Sequence, residues 1–448
     1  MSIHDRNYFN ASTDYKTLKG KWDLYIAFTE RSLKLLNGKG VFSFIIPFGF
    51  LNQPFAEAIR KYILSDYTIS SIVDLHNNKI FESATVPSCI PIIQKNKSTN
   101  HDVSILEFQE DTFNLKYTIN ISKYHETTQN MFRTENLEVT SGLLEKIRTK
   151  GIQLDNQFYA STGAEIHGKE SRDTNGITVS GTSKFDLLYN KFSKGLKPYI
   201  EGSAIEKSKD GRYSFPVIDT WLDYSKADSM RSPKFKELFD SDKLIIRRSS
   251  GLLRILAIYD ESKIHTSEKC LIVIPKDKLP KNVSQFLPKT ELELKYVLAI
   301  LNSRLIDFYY ESVYGGFIDV YPNNLKELPI ALAEKNKRET VIAVVDYLLF
   351  LKMQEVRDTE NLMYCQYLDS IIDACIYELY FSEEMKKAGV DILALVEKDL
   401  KAVEKLAPQK AIETLYKKWQ EPKNEIRNRL LLMATRCPET IGVIESSQ

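Results

Sequence analysis

The apolar residues in the first hundred positions alternate between helical and extended spacing. Residues 22–36 repeat apolar side chains at helical spacing, and residues 41–47 follow as a continuous apolar run that ends at a proline. Such a run predicts a strand buried on both faces of a sheet. A second helix is predicted over residues 54–65, and strands are predicted over residues 69–75 and 88–94. Alternating strands and helices are typical of an α/β fold.

A proline interrupts the last of these predicted strands. Pro91 has no backbone N–H to donate to a neighbouring strand, so residues 88–94 are predicted to lie at a sheet edge. The α/β pattern covers only residues 1–100, which is about half of a doubly wound domain. We therefore expect a partial α/β sheet in this part of the chain.

The pattern changes twice in the middle of the chain. Residues 101–135 are polar and are interpreted as a connector with one short strand. Residues 136–335 place short β-like runs between clusters of Gly, Ser, Pro and Lys, which predicts an irregular α+β domain. The β-like runs are residues 213–217, 243–246, 252–259 and 270–274, and a helix is predicted over residues 293–312.

The last part of the chain, residues 336–448, is predicted to form a helical domain. Apolar residues from Val341 to Leu348 recur at positions i, i+3, i+4 and i+7, and residues 368–379 repeat the pattern. Two further helices are predicted over residues 391–406 and 411–420. Acidic residues slightly outnumber basic ones here, so this domain is not an obvious DNA-binding surface.

The charge of the whole chain is close to neutral. Its 61 basic and 60 acidic residues nearly cancel, so binding to nucleic acid through bulk charge is not expected and would have to come from local patches. A hydrophobic content of 43% and a charged content of 27% exclude disorder over most of the chain.

The cysteines and the lengths of the apolar runs indicate the cellular compartment in which the protein is expected. The 5 cysteines include no C-x-x-C pair, which fits reduced thiols better than a disulfide framework. The first residues lack the apolar core of a secretory signal, and no apolar run approaches the roughly 18 residues of a membrane span. We therefore expect a cytoplasmic protein that does not contact a membrane.

Motifs for self-contained chemistry are absent from the sequence. The 6 histidines are scattered without metal-ligand spacing, so no metal site is predicted. Residues 163–169 imitate a phosphate-binding loop, but Glu170 stands where a Ser or Thr would bind magnesium. The preferred interpretation of this segment is a polar loop.

Three stretches of sequence carry a resemblance to a known family. The first contains W-D-L-Y-I-A-F at 22–28, G-V-F-S-F-I-I-P-F-G-F-L at 40–51 and I-F-E-S-A-T-V-P-S-C-I-P-I-I at 80–93. The second contains S-T-G-A-E-I-H-G-K-E-S at 161–171, L-K-P-Y-I-E-G at 196–202 and K-L-I-I-R-R-S-S-G at 243–251. The third contains L-N-S-R-L-I-D-F-Y-Y-E-S-V-Y-G-G at 301–316 and L-K-E-L-P-I at 325–330.

The first stretch resembles the late catalytic motifs of N6-adenine DNA methyltransferases of the Type IIG restriction-modification group. The other two resemble the TaqI-like C-terminal specificity domain, which reads the target sequence. The resemblance implies a partial, Rossmann-like methyltransferase sheet over residues 1–100, a target-recognition domain over 136–335 and a helical C-terminal domain over 336–448. It also implies S-adenosyl-L-methionine as the cofactor.

Two motifs of the family are missing from these 448 residues. No N-P-P-Y or D-P-P-Y occurs, and no glycine-rich turn follows an early strand. Most of the cofactor site and the group that accepts from the adenine amino group are therefore absent. We expect the chain to be inactive alone and to need a partner chain that carries the N-terminal methyltransferase half.

One catalytic feature of the family is matched by Phe81 in I-F-E-S-A-T-V. In the family a phenylalanine at this position packs against the face of the flipped adenine, since a base must leave the duplex before it is modified. The alternative is a core phenylalanine that closes a strand–loop corner. Both interpretations stay open at this point.

Candidate residues for contact with double-stranded DNA lie mainly in residues 191–260, where basic residues outnumber acidic ones. Lysines would neutralise phosphates, and arginines could read guanine edges with their planar fork. A solvated surface charge remains the alternative for any single residue. The candidates are Lys169, Lys194, Lys197, Tyr199, Tyr213, Lys243, Arg247, Arg248 and Arg254.

Three functions are compatible with the sequence. The leading hypothesis is DNA recognition, together with part of the catalytic domain, in a site-specific adenine-N6 DNA methyltransferase of a restriction-modification or phage-defence system. The first alternative is a non-catalytic DNA specificity subunit. The second is a helical scaffold whose methyltransferase half has decayed.

Overall fold

The computed structural model divides the chain into two compact units. The first comprises Met1–Gly142 and Ser312–Phe317, and the second comprises Leu143–Glu311 and Ile318–Gln448. The expected helical domain from residue 336 onwards thus falls in the same unit as the residues before it. The residues that the structure describes are 3–20, 22–75, 78, 80–81, 86–109, 111–134, 137–168, 171–172, 178–180, 186–206, 212–249, 254–314, 319–354 and 359–446.

The first unit contains a mixed sheet with helices packed against it. Its strands follow the order β1–β4–β3–β5–β6, and β2 also pairs with β4. Strands β3 and β5 run parallel, whereas the other neighbours run antiparallel. The strands are β1 (Val41–Ser43), β2 (Ile46–Pro47), β3 (Thr68–Leu75), β4 (Ser88–Gln94), β5 (Asp102–Gln109) and β6 (Thr112–Asn120). The helices are α1 (Ile3–Ala11), α2 (Leu24–Leu35), α3 (Gly49–Asn52), α4 (Glu57–Asp66) and α5 (Ser122–Glu126).

The helices α2 and α4 form where the sequence predicts them. Asp23 caps α2 by accepting a hydrogen bond from the Leu24 N–H, and Pro54 opens the single turn that leads into α4. Each helix buries one apolar face in a cluster shared with β3, β4 and β5, to which Ile26 and Ile59 belong. Amphipathic spacing alone was sufficient to locate both helices.

The strand predicted over residues 41–47 differs from the observed one. It is split into β1 and β2, and the side chains of Val41, Phe44 and Ile45 are exposed. The prediction of burial on both faces is wrong because β1 and β2 lie at the edge of the sheet and not inside it. A continuous apolar run does not by itself distinguish these two positions.

The position of β4 is also a correction. The proline predicted an edge, but β4 lies inside the sheet between β3 on one side and β1 and β2 on the other. The register explains how this is tolerated: β1 pairs with residues 92–94 and β2 with residues 88–89. The gap between β1 and β2 therefore lies opposite Pro91. The missing N–H of Pro91 removes no hydrogen bond to either of these two strands.

Residues 101–135, which were interpreted as a connector, supply two strands to the same sheet. Strand β5 pairs in parallel with β3, and β6 returns antiparallel to β5. Strand β6 is largely exposed and alternates apolar with polar residues, and its polar half is Thr, Asn and Lys, which are common in loops. The sheet therefore extends beyond the residues that carry the α/β pattern.

The second unit begins with irregular β structure. One sheet has the order β17–β16–β19–β8 and another the order β12–β14–β13–β18; β9 pairs with β15, β7 with β20 and β10 with β11. The strands are β7 (Gly151–Gln153), β8 (Phe158–Thr162), β9 (Glu165–Gly168), β10 (Ser171–Arg172), β11 (Thr178–Ser180), β12 (Leu188–Tyr189), β13 (Lys197–Ile200), β14 (Thr220–Leu222), β15 (Met230–Ser232), β16 (Lys243–Arg247), β17 (Ala257–Asp260), β18 (His265–Thr266), β19 (Cys270–Pro275) and β20 (Pro329–Ala331).

Helices make up most of the rest of the chain. They are α6 (Leu137–Lys150), whose first residues belong to the first unit, α7 (Glu237–Asp240), α8 (Lys281–Ser284), α9 (Leu294–Leu301), α10 (Arg304–Tyr314), α11 (Pro322–Lys326), α12 (Lys335–Met353), α13 (Thr359–Ala388), α14 (Leu393–Val403), α15 (Pro408–Trp419), α16 (Glu425–Arg436) and α17 (Ile441–Ser446). The protein is therefore a mixed α/β structure with many helices. None of the described helices is long and apolar enough to span a membrane.

Two predictions for the second unit are wrong for local reasons. No strand forms over residues 213–217, because Tyr213 adopts a left-handed conformation with φ of 57°. The helix predicted over residues 293–312 is broken at Asn302 into α9 and α10. The Asn302 side chain accepts from the Ala257 N–H at 2.9 Å and donates to the Ala257 carbonyl at 3.0 Å, so it pairs with β17 like a strand residue.

The segment that imitates a phosphate-binding loop connects two strands. Gly163 lies between β8 and β9, and a Cβ there would come within 2.4 Å of the backbone carbonyl oxygens of Thr266 and Ser267. The glycine is therefore required by a close approach of two backbones. Strand β9, and not a helix, follows it among the described residues, so the described part of this segment lacks the helix N-terminus that cradles a phosphate. Residues 169 and 170 lie outside the described part of the chain.

A buried ion pair joins the β structure of the second unit to α10. Arg212 and Asp307 are almost completely buried and contact each other directly. The Asp307 carboxylate also accepts from the Ile255 N–H at 3.0 Å, and the Arg212 guanidinium donates to the Ile255 carbonyl at 3.1 Å. These bonds hold the segment before β17 against the helix.

Substitution of Asp307 by alanine is expected to lower the free energy of unfolding by about 3–5 kcal/mol, because it leaves the Arg212 charge buried without its partner. The double substitution R212M/D307L should recover most of this loss. Urea unfolding followed by circular dichroism measures both. Lys401→Ala is the control, since it removes an exposed pair with Glu397 and should change the free energy of unfolding little. Equal losses for D307A and K401A would contradict this account.

Candidate nucleic-acid interface

The chain between β12 and β13 is rich in lysine and contains no acidic residue. Residues 187–200 include Lys191, Lys194 and Lys197. The Leu196 N–H donates to the Ser193 carbonyl at 3.1 Å and closes a turn whose third residue, a glycine, has φ of +97°. This turn displays Lys194 at its tip, and Lys191 is exposed beside it.

The sheet of β12, β14, β13 and β18 has two different faces. Trp221 at the centre of β14 lies opposite Tyr189 of β12 and Pro198 of β13, and paired residues point to the same side of a sheet. Neighbouring residues on each strand point to the other side. Leu222 and Tyr199 on that other side are buried in an apolar cluster, so this is the inner face.

The outer face carries an aromatic row, which we define as Tyr189, Phe192 and Trp221. The Phe192 ring meets the Trp221 ring edge to face, with centroids 4.8 Å apart. Phe192 is 66% exposed and Tyr189 is 41% exposed. The row, Lys191 and Lys194 thus form one surface that presents aromatic rings and positive charge together.

Several predicted contact residues are buried and have structural partners. Lys243 is fully buried, donates to the Phe239 carbonyl at 2.7 Å and pairs with Asp260 at 2.5 Å. Burial lowers the pKa of its ammonium group against the opposing effect of the Asp260 carboxylate. Tyr199 and Tyr213 are also buried. In this arrangement none of the three is displayed to a ligand.

The two adjacent arginines after β16 are placed differently. Arg247 is buried and donates to the backbone carbonyls of Ser249, at 2.9 Å, and Ile205. The Arg248 side chain is 25% exposed. Its guanidinium lies over the ring of Tyr321, 5.3 Å from the centroid, and its Nε is 3.7 Å from an Asp319 carboxylate oxygen. Arg248 is therefore held at the surface with a defined orientation.

The remaining predicted site residues differ in how far they are exposed. Lys194 is exposed and Lys197 and Arg254 are half-buried, whereas Lys169 lies outside the described residues. Phe81 in the first unit is 44% exposed. That exposure does not fit the core-packing alternative, and its role in stacking on a base stays a prediction.

Sequence reasoning missed the aromatic row. It selected Tyr199, whose side chain lies on the inner face of the sheet, and omitted the three aromatic residues on the outer face. The signal was present in residues 187–200, where lysines and aromatic residues are interleaved without any acidic residue. Which aromatic side chain faces outward follows only from the pairing with β14.

Comparisons with known families match two separate parts of the chain. Residues 197–330 match the TaqI-like C-terminal specificity domain, and residues 2–81 match the Eco57I restriction-modification methylase. The chain therefore contains a TaqI-like specificity domain and part of an Eco57I-type methylase domain. This confirms the resemblance predicted from the sequence.

The curated relatives are type II restriction-modification methyltransferases. The chain is 24% identical over 415 residues to the putative type II restriction enzyme and methyltransferase RM.MjaORFECS2P of Methanocaldococcus jannaschii, covering 88% of this chain and 31% of that protein. It is 25% identical to the type II restriction enzyme and methyltransferase RM.Eco57I of Escherichia coli, covering 46% of this chain and 20% of that protein. The chain thus spans less than a third of the length of either.

Solved structures of restriction-modification enzymes show a weak likeness. The Type IIL enzyme MmeI in complex with DNA has a TM-score of 0.49 at 10% identity, covering 90% of this chain and 55% of that one. The DrdV–DNA complex has a TM-score of 0.43 at 12% identity, covering 81% of this chain and 45% of that one.

The inner face of the sheet predicts a pH dependence of stability. His265 stacks on Phe239 with ring centroids 4.3 Å apart, and burial lowers its pKa to about 4. Lys243 and Lys197 lower this pKa further, whereas Asp240 and the Lys263 carbonyl oppose them. An unfolded chain binds this proton near pH 6.5, so the free energy of unfolding should fall by about 3 kcal/mol as the pH falls from about 6.5 to about 4.

Urea midpoints at about pH 7.5 and about pH 5 test this expectation. His265→Phe keeps the stacking but removes the titrating group, so its midpoint should change less between the two pH values. His125→Asn, at an exposed position, should behave like the unmodified chain. An unchanged pH dependence in H265F would contradict the assignment.

Proposed function

We propose that this chain is the DNA-recognition part, and part of the catalytic domain, of a site-specific adenine-N6 DNA methyltransferase in a restriction-modification or phage-defence system of the Type IIG kind. The observation that carries the proposal is the TaqI-like specificity domain at residues 197–330, with a lysine-rich surface at its start. The match of residues 2–81 to a methylase supports the catalytic part. The ligand of the specificity domain is double-stranded DNA.

Arg248 is the residue best placed to read a base. Arginine recognises guanine by two parallel hydrogen bonds from its fork, which requires a fixed orientation. Tyr321 supports the plane of the guanidinium, and Asp319 holds it from the side. Asp319 is itself fixed by a hydrogen bond from the Ser249 hydroxyl. The fork is thus oriented before DNA arrives.

The same residues do not make a complete methyl-transfer site. Transfer to an adenine amino group needs an acceptor beside that group, and the N-P-P-Y that supplies it in the family is absent from this sequence. S-adenosyl-L-methionine also needs a glycine-rich cradle, yet Gly49, the first residue of α3, is the one glycine that follows a strand and opens a helix among the described residues of the first unit. The residues present therefore do not fit the whole cofactor, and no catalytic step is assigned to them.

We propose that the missing elements belong to polypeptide outside these 448 residues and join the partial, Rossmann-like sheet at β1. No described strand pairs with the outer side of β1. An open strand edge is a template for another strand, and Val41, Phe44 and Ile45 expose apolar side chains there. Both features support a junction with further catalytic strands.

A non-catalytic specificity subunit is the second candidate function. The surface of lysines and the fixed Arg248 would serve it equally, and the absence of N-P-P-Y favours it. Calorimetry separates the two candidates: the first predicts that this chain strengthens the binding of S-adenosyl-L-methionine to the complementing polypeptide, and the second predicts no change.

DNA recognition predicts a specific effect of Arg248. The full chain should retain its preferred duplex from a pool of random sequences, with an affinity that falls as salt rises. Arg248→Ala should weaken binding to that duplex by about 1–3 kcal/mol and relax the preference at one base pair, as measured by fluorescence anisotropy. Arg248→Lys keeps the charge but not the fork, so it should lose the same preference. A preference that survives both substitutions would exclude Arg248 as a base reader.

The catalytic part predicts dependence on added polypeptide. The chain alone should transfer no methyl group from labelled S-adenosyl-L-methionine to duplex DNA, and a polypeptide with the glycine-rich loop and N-P-P-Y should restore transfer. Ile45→Lys at the exposed edge should block restoration but leave DNA binding intact, with Leu431→Lys as the exposed control in α16. Robust methylation by the chain alone would refute this dependence.

A further inference from the structure

We infer that the aromatic row of Tyr189, Phe192 and Trp221 stacks against an unstacked base of the bound DNA, while the neighbouring lysines hold the phosphates. This inference rests on the proposed function, because it names a contact of the same DNA-binding domain. It adds a class of contact that the charged residues do not supply.

The exposure of these rings is not required by the fold. The inner face of the same sheet already packs its side chains, including Leu222, into an apolar cluster. Phe192 instead leaves 66% of its surface in water while its ring rests on Trp221. Adjacent exposed aromatic rings cost solvation free energy in the isolated chain, and such patches are typical of binding surfaces.

The charged residues near the aromatic row indicate which class of ligand the row would bind. Lys191 and Lys194 lie in a stretch without acidic residues, and Lys226 lies beside Tyr189. Lys226 also pairs with Asp223 at 3.3 Å, and Asp219 accepts from the Thr220 hydroxyl at 2.8 Å. The three lysines offer positive charge beside the row, which fits a polyanion. Aromatic rings interleaved with lysines are the combination that proteins use to bind nucleic acid whose bases are accessible.

The geometry of DNA indicates which form of DNA the aromatic row would bind. In an intact duplex the base faces are stacked on each other and only their edges are accessible, so an aromatic platform gains little from them. A base that has lost its neighbour exposes a face, and stacking on an aromatic ring is then favourable for any base. An enzyme that modifies a base must open the duplex at its target. The aromatic row therefore fits DNA that is opened at or next to the recognised site.

Quenching of tryptophan fluorescence measures directly whether DNA covers Trp221. Trp22 is 1% exposed and Trp419 is 0% exposed, so Trp221 dominates collisional quenching by acrylamide. A duplex with one bulged base should protect Trp221 and reduce this quenching, and Trp221→Phe should remove the effect. An intact duplex of the same sequence should protect it less. Full quenching in the presence of saturating bulged DNA would overturn the inference.

Affinity measurements separate the rings from the charges. Phe192→Ala should weaken binding to the bulged duplex about tenfold without changing the slope of affinity against salt, because no phosphate contact is lost. Lys191→Ala with Lys194→Ala should instead make that slope shallower. Phe113→Ala, at an exposed ring in the first unit, is the matched control and should bind normally. Circular dichroism checks that each variant is folded, and Phe192→Leu, which keeps an apolar side chain, should show the same weakening.

The possible outcomes distinguish this inference from the function on which it depends. If the unmodified chain binds no duplex at low salt, both fail. If it binds, and F192A and F192L bind the bulged duplex as well as the unmodified chain does, the proposed function stands and this inference fails. Protection of Trp221 by an acidic protein but not by DNA would assign the row to a protein partner and overturn the inference.

Discussion

The buried pair of Arg212 and Asp307 is the constraint on which the second unit depends. Two charges that are removed from water are stable only while each has the other and further hydrogen bonds. Both groups also bond the backbone of Ile255, so the pair fixes the segment that leads into β17 as well as the helix α10. One turn earlier on α10, Arg304 pairs with Asp373 of α13 and with Glu445 of α17. A single helix therefore ties the β structure to the C-terminal helices through two sets of charges.

The supports behind the residues that we propose to face DNA explain how these residues can be exposed and still ordered. Strand β14 puts its inner side chains into an apolar cluster and its outer side chains into water, so the aromatic row is positioned by a sheet whose opposite face is fixed. Arg248 follows directly from β16, which is buried along its whole length. The hydrogen bond from the Val320 N–H to the Arg248 carbonyl, 2.8 Å long, joins that position to the segment with Asp319 and Tyr321. Recognition side chains on such supports lose little conformational freedom when they bind.

Local patterns predicted much of the fold but only part of the site. Helices α2, α4, α14 and α15 and strands β3, β16 and β19 agree with the sequence, because their periodicity is set by neighbours along the chain. The break at Asn302 and the interior position of β4 depend on partners far away in sequence, Ala257 in one case and two short edge strands in the other. The exposure of the predicted DNA-contact residues also depends on partners far away in sequence. Lys194 and Lys243 are equally basic in sequence, but only the buried one meets Asp260, and that contact decides its role.

The two units differ in how complete their functional parts are. In the second unit the described residues already supply a lysine-rich loop, an oriented arginine and an aromatic row, which we propose as three chemically different contacts with DNA. In the first unit the sheet ends at an open strand with exposed apolar residues, and the sequence lacks the motifs for adenine and cofactor. Binding and chemistry should therefore be separable in this chain. Substitutions in the aromatic row should change DNA affinity whether or not methyl transfer is reconstituted, whereas substitutions at the open edge should matter only when it is.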